Sequence, residues 1–284
     1  MAPTLVSATW LKANLDQVVV LDASSHLPTA NRNPHDEFIA AHIPGAQRFD
    51  IDRIADPDNQ LPHMVPSADD FAAHMRALGL SNDDHVVMYD DSDVRSAARG
   101  WWMMRLYGHT NISLLNGGLA AWRAIGGDLE SGPADERPAG DFLARQPAGV
   151  GVVDMATLRA GLDSGSAGQI LDARAAARFA GDAPEPRKGL RAGHIPGSRN
   201  LPFSDLLNED GTYRHVDDLR DLFVAAGIAP DAPVATSCGS GVTACVLAVG
   251  LHLLGNEAVT VYDGSWTEWG ASDAPIETGP ASRT

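Results

Sequence analysis

Short apolar runs alternate along the chain with segments whose apolar residues recur at helical spacing. The runs at 18–21 and 233–236 are almost continuously apolar, which predicts strands that are buried on both faces. Residues 67–78 begin with Ser67 and two acids and stop before a glycine, the start and stop signals of a helix. Further N-cap candidates precede two other apolar segments: Ser7 or Thr9, and Asp154. This alternation predicts an α/β fold, with parallel sheets flanked by helices.

The pattern occurs twice in the chain, in four pairs of similar segments: 18–23 and 169–174, 40–50 and 191–201, 85–91 and 233–238, 113–122 and 260–269. From Asp91 and Cys238 onward the spacing between matched residues stays at 147. A fixed spacing of this kind indicates a tandem repeat of one domain. We therefore predict an N-terminal domain over 1–130, a Gly- and Pro-rich linker over 131–150 and a C-terminal domain over 151–284.

Composition limits the classes of partner. The net charge is −16 over 284 residues, which argues against nucleic acid and anionic membrane surfaces as partners. No apolar run approaches the roughly 20 residues of a membrane span, and no basic start followed by an apolar segment is visible. Two cysteines without CxxC or HExxH spacing predict no disulfide, no metal site and no cofactor. We expect a soluble, cytoplasmic protein.

Cys238 follows the predicted strand at 233–236 and precedes a predicted helix that runs from Val242 onward. A thiol at such a turn faces backbone N–H groups and the positive end of the helix dipole, conditions that favour the nucleophilic thiolate. Two glycines beside the cysteine let the loop fold closely around the sulfur. The amides expected to line this loop belong to Gly239, Gly241, Val242 and Ala244. We interpret the second cysteine, Cys245, as a core residue of the helix.

The repeat supplies an internal comparison. In the alignment of the two halves, Asp91 stands where the second half has Cys238, and the flanking glycines are missing. Because an aspartate cannot perform thiolate chemistry, we predict that only the second half is catalytic.

The paired halves, the HIPG element in each, the CGSGVTA loop and the DGSWTEW segment resemble the two-domain rhodanese family. The resemblance covers nearly the whole chain and implies two rhodanese-like domains. Family members that use thiosulfate resemble CRKGVTA, with two basic residues after the cysteine. The loop here has Gly239 and Ser240 instead and is similar to that of the 3-mercaptopyruvate sulfurtransferases.

A basic segment supports a carboxylate-bearing substrate. Between 174 and 199 the chain has two acids and six basic residues: Arg174, Arg178, Arg187, Lys188, Arg191 and Arg199. Guanidinium groups bind carboxylates through paired hydrogen bonds of fixed geometry. The alternative is a solvated basic loop whose ion pairs contribute little. The string ARFAGDAPEPR is similar to the family's carboxylate clamp, and the resemblance places that clamp on Arg178 and Arg187.

The resemblance also implies a reaction. The sulfur of 3-mercaptopyruvate would pass to Cys238 as a persulfide with release of pyruvate, and a thiol such as reduced thioredoxin, or cyanide, would accept it. Ser240 or Thr243 would assist the leaving group or relay a proton. His42 is a further candidate, but His194 occupies the matched place, which favours a role in the turn. Trp266 either roofs the pocket or packs in the core.

Three other functions use the same features. A thiosulfate:cyanide sulfurtransferase would use the same thiol with another donor. A non-enzymatic persulfide carrier or scaffold would be loaded by another protein. A cysteine phosphatase needs an arginine six residues after the cysteine, where this chain has Ala244.

Overall fold

The computed structural model describes residues 2–145 and 150–281. The chain forms two compact units. The first comprises Met1–Pro57, Val65–Pro147 and Glu209–Tyr213; the second comprises Asp58–Met64, Ala148–Asn208 and Arg214–Thr284. Two short segments, 58–64 and 209–213, thus belong to the unit formed mainly by the other half of the sequence.

The first unit is a parallel five-stranded sheet with order β1-β5-β4-β2-β3. Its strands are β1 (Leu5–Val6), β2 (Val19–Asp22), β3 (Gln47–Arg48), β4 (Val86–Tyr89) and β5 (Ile112–Leu115). Its helices are α1 (Ala8–Asn14), α2 (Pro34–Ala40), α3 (Ala68–Ala77), α4 (Ala97–Leu106) and α5 (Gly118–Ala124). All residues of β2, β4 and β5 are buried, as expected for parallel strands covered on both faces.

The second unit repeats this topology with order β6-β10-β9-β7-β8, again with parallel pairing. Its strands are β6 (Val150–Val153), β7 (Gln169–Asp172), β8 (Arg199–Asn200), β9 (Val234–Ser237) and β10 (Val259–Tyr262). Its helices are α6 (Met155–Ser164), α7 (Ala176–Ala180), α8 (Val216–Ala225), α9 (Ala244–Leu253) and α10 (Ser265–Trp269). The predicted tandem α/β architecture is therefore confirmed.

Three helices begin where the sequence signals indicated. The Ser7 hydroxyl accepts the Trp10 N–H at 3.1 Å, and the Ser67 hydroxyl accepts the Asp70 N–H at 3.1 Å. The Asp154 carboxylate accepts the Thr157 N–H at 2.8 Å. Each cap satisfies a backbone donor that the first helical turn leaves unpaired. Among the described residues 2–145 and 150–281, no helix has the length and apolar character needed to cross a bilayer.

The segment predicted as a linker packs in part on the first unit. Phe142 is fully buried, with its ring 5.9 Å from that of Phe71, and its carbonyl accepts a hydrogen bond from Arg76 at 3.0 Å. Residues 131–145 of the predicted linker therefore pack on the first unit, because one buried aromatic side chain outweighs a loop-like composition. The rest of that prediction includes 146–149, which lie outside the described residues.

Candidate active site

Cys238 directly follows β9 at the carboxyl edge of the second sheet, and α9 begins six residues later at Ala244. This edge is where open α/β sheets place their ligands. The helix is apolar throughout its first eight residues and is buried on all sides, which fixes its N-terminus against the loop. Cys238 is 2% exposed. Cys245 lies inside α9, is fully buried, and directs its thiol to the Gly241 carbonyl at 3.2 Å.

The loop is tied to the start of α10 by hydrogen bonds. The N–H groups of Cys238 and Gly241 both donate to Oγ of Ser265, each at 3.1 Å. The carbonyl of Cys238 accepts the Trp266 N–H at 2.9 Å, and the carbonyl of Gly239 accepts the Thr267 hydroxyl at 2.6 Å. These bonds tie the Cys238 loop to the first residues of α10.

The loop amides therefore fall into two groups. The Gly241 N–H, which we expected to line the anion site, is directed to Ser265 instead. In the described part of the chain, the N–H groups of Gly239 and Val242 have no internal acceptor and remain available to an anion. Ala244 is fully buried as the first residue of α9. Ser240 is buried, and Thr243 is half-buried at the N-cap of α9 without a capping bond from its hydroxyl.

Arg178 lies beside this loop. A Cβ added to Gly239 would be 3.2 Å from Nη2 of Arg178, so the absence of a side chain at 239 gives the guanidinium room. Arg178 is held by Glu185, which accepts hydrogen bonds from its Nε at 3.1 Å and from Nη2. Because these bonds use one edge of the planar guanidinium, the N–H groups on its other edge are available to a ligand.

Glu185 also anchors a buried ion-pair network. Its other oxygen accepts from Nη1 of Arg174 at 2.7 Å, and Arg174 in turn forms paired bonds with Asp172. The Arg174 guanidinium stacks 4.4 Å from the ring centre of Trp266. Burial alone lowers the pKa of Arg174, but the two carboxylates outweigh it and hold the pKa above its ordinary value. The charge of Arg174 is thus neutralised internally and is not part of a substrate clamp.

Arg187 contacts a residue that the sequence reasoning missed. Its Nη2 lies 3.3 Å from Nε2 of His63, which has a φ of +64° and belongs to the segment 58–64 of the second unit. His63 lies far from Arg187 in sequence and outside the repeated segments. No local pattern could have pointed to it, because the contact joins residues that are 124 positions apart in the sequence.

The two HIPG histidines play the same structural part. Nδ1 of His42 lies 2.8 Å from the Phe38 carbonyl, and Nδ1 of His194 lies 2.9 Å from the Phe179 carbonyl. Each ring stacks on that phenylalanine, at 4.0 Å and 3.7 Å respectively. Equivalent contacts in both units favour the interpretation that His42 serves the turn.

Trp266 is almost fully buried. Its Nε1 donates to the Arg191 carbonyl at 3.0 Å, and its ring lies under Arg174. It therefore supports the buried network instead of roofing a pocket.

The residue that corresponds to Cys238 in the first unit is Asp90, not Asp91. Cys238 follows the last residue of β9, and Asp90 follows the last residue of β4. The carbonyl of Cys238 accepts the Trp266 N–H, and the carbonyl of Asp90 accepts the Leu119 N–H, both at 2.9 Å. The first loop is one residue longer before its helix begins, which shifts the alignment. The alignment of the two halves placed this extra residue at the wrong position, because neither loop has a sequence motif that marks where the extra residue lies.

Asp90 is buried within the first unit. Its Oδ2 accepts the Ala97 N–H at 2.7 Å, and Arg95 lies 3.8 Å from Oδ1. Burial raises the pKa of Asp90 to about 6, against the lowering effect of these partners. The first unit thus places a carboxyl group where the second has its thiol.

Comparisons with known proteins agree on the family of this architecture. A model of the rhodanese-like domain matches residues 7–125 and 154–272. The 3-mercaptopyruvate sulfurtransferase of Escherichia coli K12 is 43% identical over 278 residues, covering 96% of this chain and 97% of that protein. The mitochondrial thiosulfate/3-mercaptopyruvate sulfurtransferase 1 of Arabidopsis thaliana is 43% identical over 297 residues, covering 96% of this chain and 78% of that protein. The crystal structure of SseA from Escherichia coli, a 3-mercaptopyruvate sulfotransferase, has a TM-score of 0.83 at 39% identity and covers 93% of this chain and 99% of that one.

Proposed function

We propose that this chain, which belongs to the rhodanese-like domain family, is a 3-mercaptopyruvate sulfurtransferase whose nucleophile is Cys238. The observation that carries the proposal is the juxtaposition of the Cys238 loop with Arg178 in the second unit. A thiolate at this turn is stabilised by unpaired loop amides and by the N-terminus of α9. The first unit has Asp90 at the equivalent place and supplies no nucleophile.

The first half-reaction loads the enzyme. The carboxylate of 3-mercaptopyruvate binds the guanidinium groups of Arg178 and Arg187. The Cys238 thiolate attacks the donor sulfur, and the C–S bond breaks with its electron pair passing to carbon. The resulting enolate of pyruvate takes up a proton and leaves, and Cys238 carries a persulfide. The hydroxyls of Ser240 and Thr243 and the imidazole of His63 are the candidate proton donors at this step.

The second half-reaction unloads the sulfur. An acceptor thiolate attacks the outer sulfur of the persulfide, the S–S bond breaks, and the Cys238 thiolate is regenerated. We propose a small dithiol protein such as reduced thioredoxin as the acceptor and the cytoplasm as the compartment.

The main alternative is thiosulfate as the physiological donor. Gly239 and Ser240 place no basic side chain next to Cys238, whereas a doubly charged inorganic anion would be bound best by two. A single carboxylate suits guanidinium groups, which bind carboxylates through paired hydrogen bonds. The loop chemistry therefore favours the keto-acid donor.

Replacing Cys238 by serine tests the nucleophile. We expect C238S to release pyruvate from 3-mercaptopyruvate more than about a thousandfold more slowly than the wild-type enzyme. Intact mass should show one added sulfur after donor treatment of the wild-type enzyme, removable by a reductant, and none in C238S. The matched control is C245S, since the Cys245 thiol lies inside α9 against the Gly241 carbonyl and should not be loaded. Pyruvate release by C238S at the wild-type rate would refute the mechanism.

A further inference from the structure

Ser265 occupies an unusual place at the start of α10. It is fully buried, and its hydroxyl accepts the N–H groups of Cys238 and Gly241 while donating to the Tyr262 carbonyl at 2.7 Å. The Ser237 hydroxyl lies 3.5 Å away. A serine hydroxyl has one donor and two acceptor sites, so the three shorter bonds use its full capacity. One hydroxyl therefore joins two points of the nucleophile loop to the strand end beside it.

The backbone of Ser265 is in the left-handed region, with a φ of +50°. The matched residue of the first unit is Gly118, which has a φ of +59°. A Cβ at Gly118 would lie 2.4 Å from the Asp90 carbonyl oxygen, so the first unit has no room for a side chain there. Glycine adopts this conformation without strain, and serine does so at a cost. The unit that has the thiol thus keeps a strained residue where the other has a glycine.

Strained backbone persists where the surrounding structure requires it, and it is concentrated at functional sites. Here the requirement is the hydroxyl, because it accepts the N–H groups of both Cys238 and Gly241. The N–H groups of Gly239 and Val242 have no internal acceptor in the described residues, and they are the ones that we expect an anion to use. The contacts of Ser265 are all with the loop and its supports, so it acts through them.

We propose that Ser265 is a positioning residue for sulfur transfer, whose hydroxyl sets the loop conformation that presents Cys238 and its stabilising amides. This inference rests on the proposed role of Cys238. It predicts that removal of the hydroxyl slows the attack on sulfur, whichever donor carries that sulfur, and leaves recognition of the donor's carboxylate by Arg178 and Arg187 intact.

The test compares S265A with S265G. Both variants lack the hydroxyl, but only glycine relieves the strain at a φ of +50°. We expect kcat with 3-mercaptopyruvate to fall by about 10- to 100-fold in both, the range for outer-shell partners of active groups. The KM for 3-mercaptopyruvate should change by less than about threefold, since the contacts that bind the substrate before the reaction are unchanged. Turnover with thiosulfate should fall by the same factor as turnover with 3-mercaptopyruvate.

The control is S198A. Ser198 is also a buried serine of the second unit, but its hydroxyl donates to the Ile195 carbonyl at 2.6 Å and not to the loop. We expect S198A to turn over 3-mercaptopyruvate like the wild-type enzyme. Single-turnover persulfide formation, measured by intact mass and scaled to the folded fraction from circular dichroism, separates a slower loop from loss of folded protein.

Wild-type activity in S265G together with a loss in S265A would overturn the inference, because only backbone conformation would then matter. A loss that disappears after scaling to the folded fraction would overturn it equally. If the wild-type enzyme itself forms no pyruvate from 3-mercaptopyruvate, the proposed function fails before the variants are compared.

Discussion

Replacing Glu185 by glutamine should weaken the second unit and its substrate site together. Glu185 bridges Arg174 and Arg178, and its side chain is 4% exposed. The change removes a buried negative charge and turns an N–H group of the new amide toward a guanidinium donor. The fully buried Arg174 side chain then keeps Asp172 as its charged partner.

The expected cost follows from this burial. Removing one partner of a buried ion pair costs about 3–5 kcal/mol, and the remaining pair with Asp172 places E185Q near the lower end, about 3 kcal/mol. A loss of about 3 kcal/mol corresponds to a decrease in Tm of roughly 6–12 °C for a chain of this size. Because Arg178 loses the carboxylate that orients it, we also expect the KM for 3-mercaptopyruvate to rise about tenfold.

Thermal unfolding followed by circular dichroism, together with steady-state kinetics, checks both effects. The matched control is D231N, since the pair of Asp231 with Arg220 is exposed, at 73% and 43%, and should contribute nothing measurable. A Tm of E185Q within about 2 °C of the wild-type value would show that the network does not stabilise the fold as reasoned. An unchanged KM would show that Glu185 does not orient Arg178.

Two further predictions follow from individual side chains. R187A should raise the KM for 3-mercaptopyruvate at least tenfold, or about 1.4 kcal/mol, because it removes one binding partner of the substrate carboxylate. An equal rise in the KM for thiosulfate, measured in the same cyanide assay, would contradict a carboxylate clamp. The second prediction concerns D90N. The pKa of Asp90 is about 6 in the folded protein against an ordinary value of 3.8, so the folded state binds the proton more tightly than the unfolded state does. This proton binding stabilises the wild-type fold fully below about pH 4, and the stabilisation is lost as the pH rises through 6. At pH 7 D90N should therefore be more stable than the wild-type protein by up to about 3 kcal/mol, and this difference should vanish near pH 4. Urea unfolding at the two pH values measures the difference. A D90N variant less stable than the wild-type protein at pH 7 would contradict the expected direction of the effect.

Much of the architecture was readable from local patterns. Continuous apolar runs located the buried strands, and Ser7, Ser67 and Asp154 marked helix starts that the structure retains. Repetition of these patterns predicted two domains of one topology. Such inferences succeed because strand burial and helix capping depend on residues close together in sequence.

The errors have a common physical origin. The sequence alignment matched Cys238 with Asp91, whereas the structure matches it with Asp90. The loops after β4 and β9 differ in length by one residue, and only the pairing of the strands shows which residues are equivalent. Composition also did not reveal that Phe142, inside the predicted linker, is buried.

The sequence by itself determined the repeated α/β domains, the single thiol at a strand-to-helix turn and the basic segment over 174–199, because each depends on neighbouring residues. Only the tertiary structure decided which charges are neutralised and which groups meet. It joined Glu185 to both Arg174 and Arg178, brought His63 to Arg187, and directed two amides of the Cys238 loop to Ser265. These contacts link residues that are distant in sequence, and their geometry exists only after the strands, helices and loops have packed.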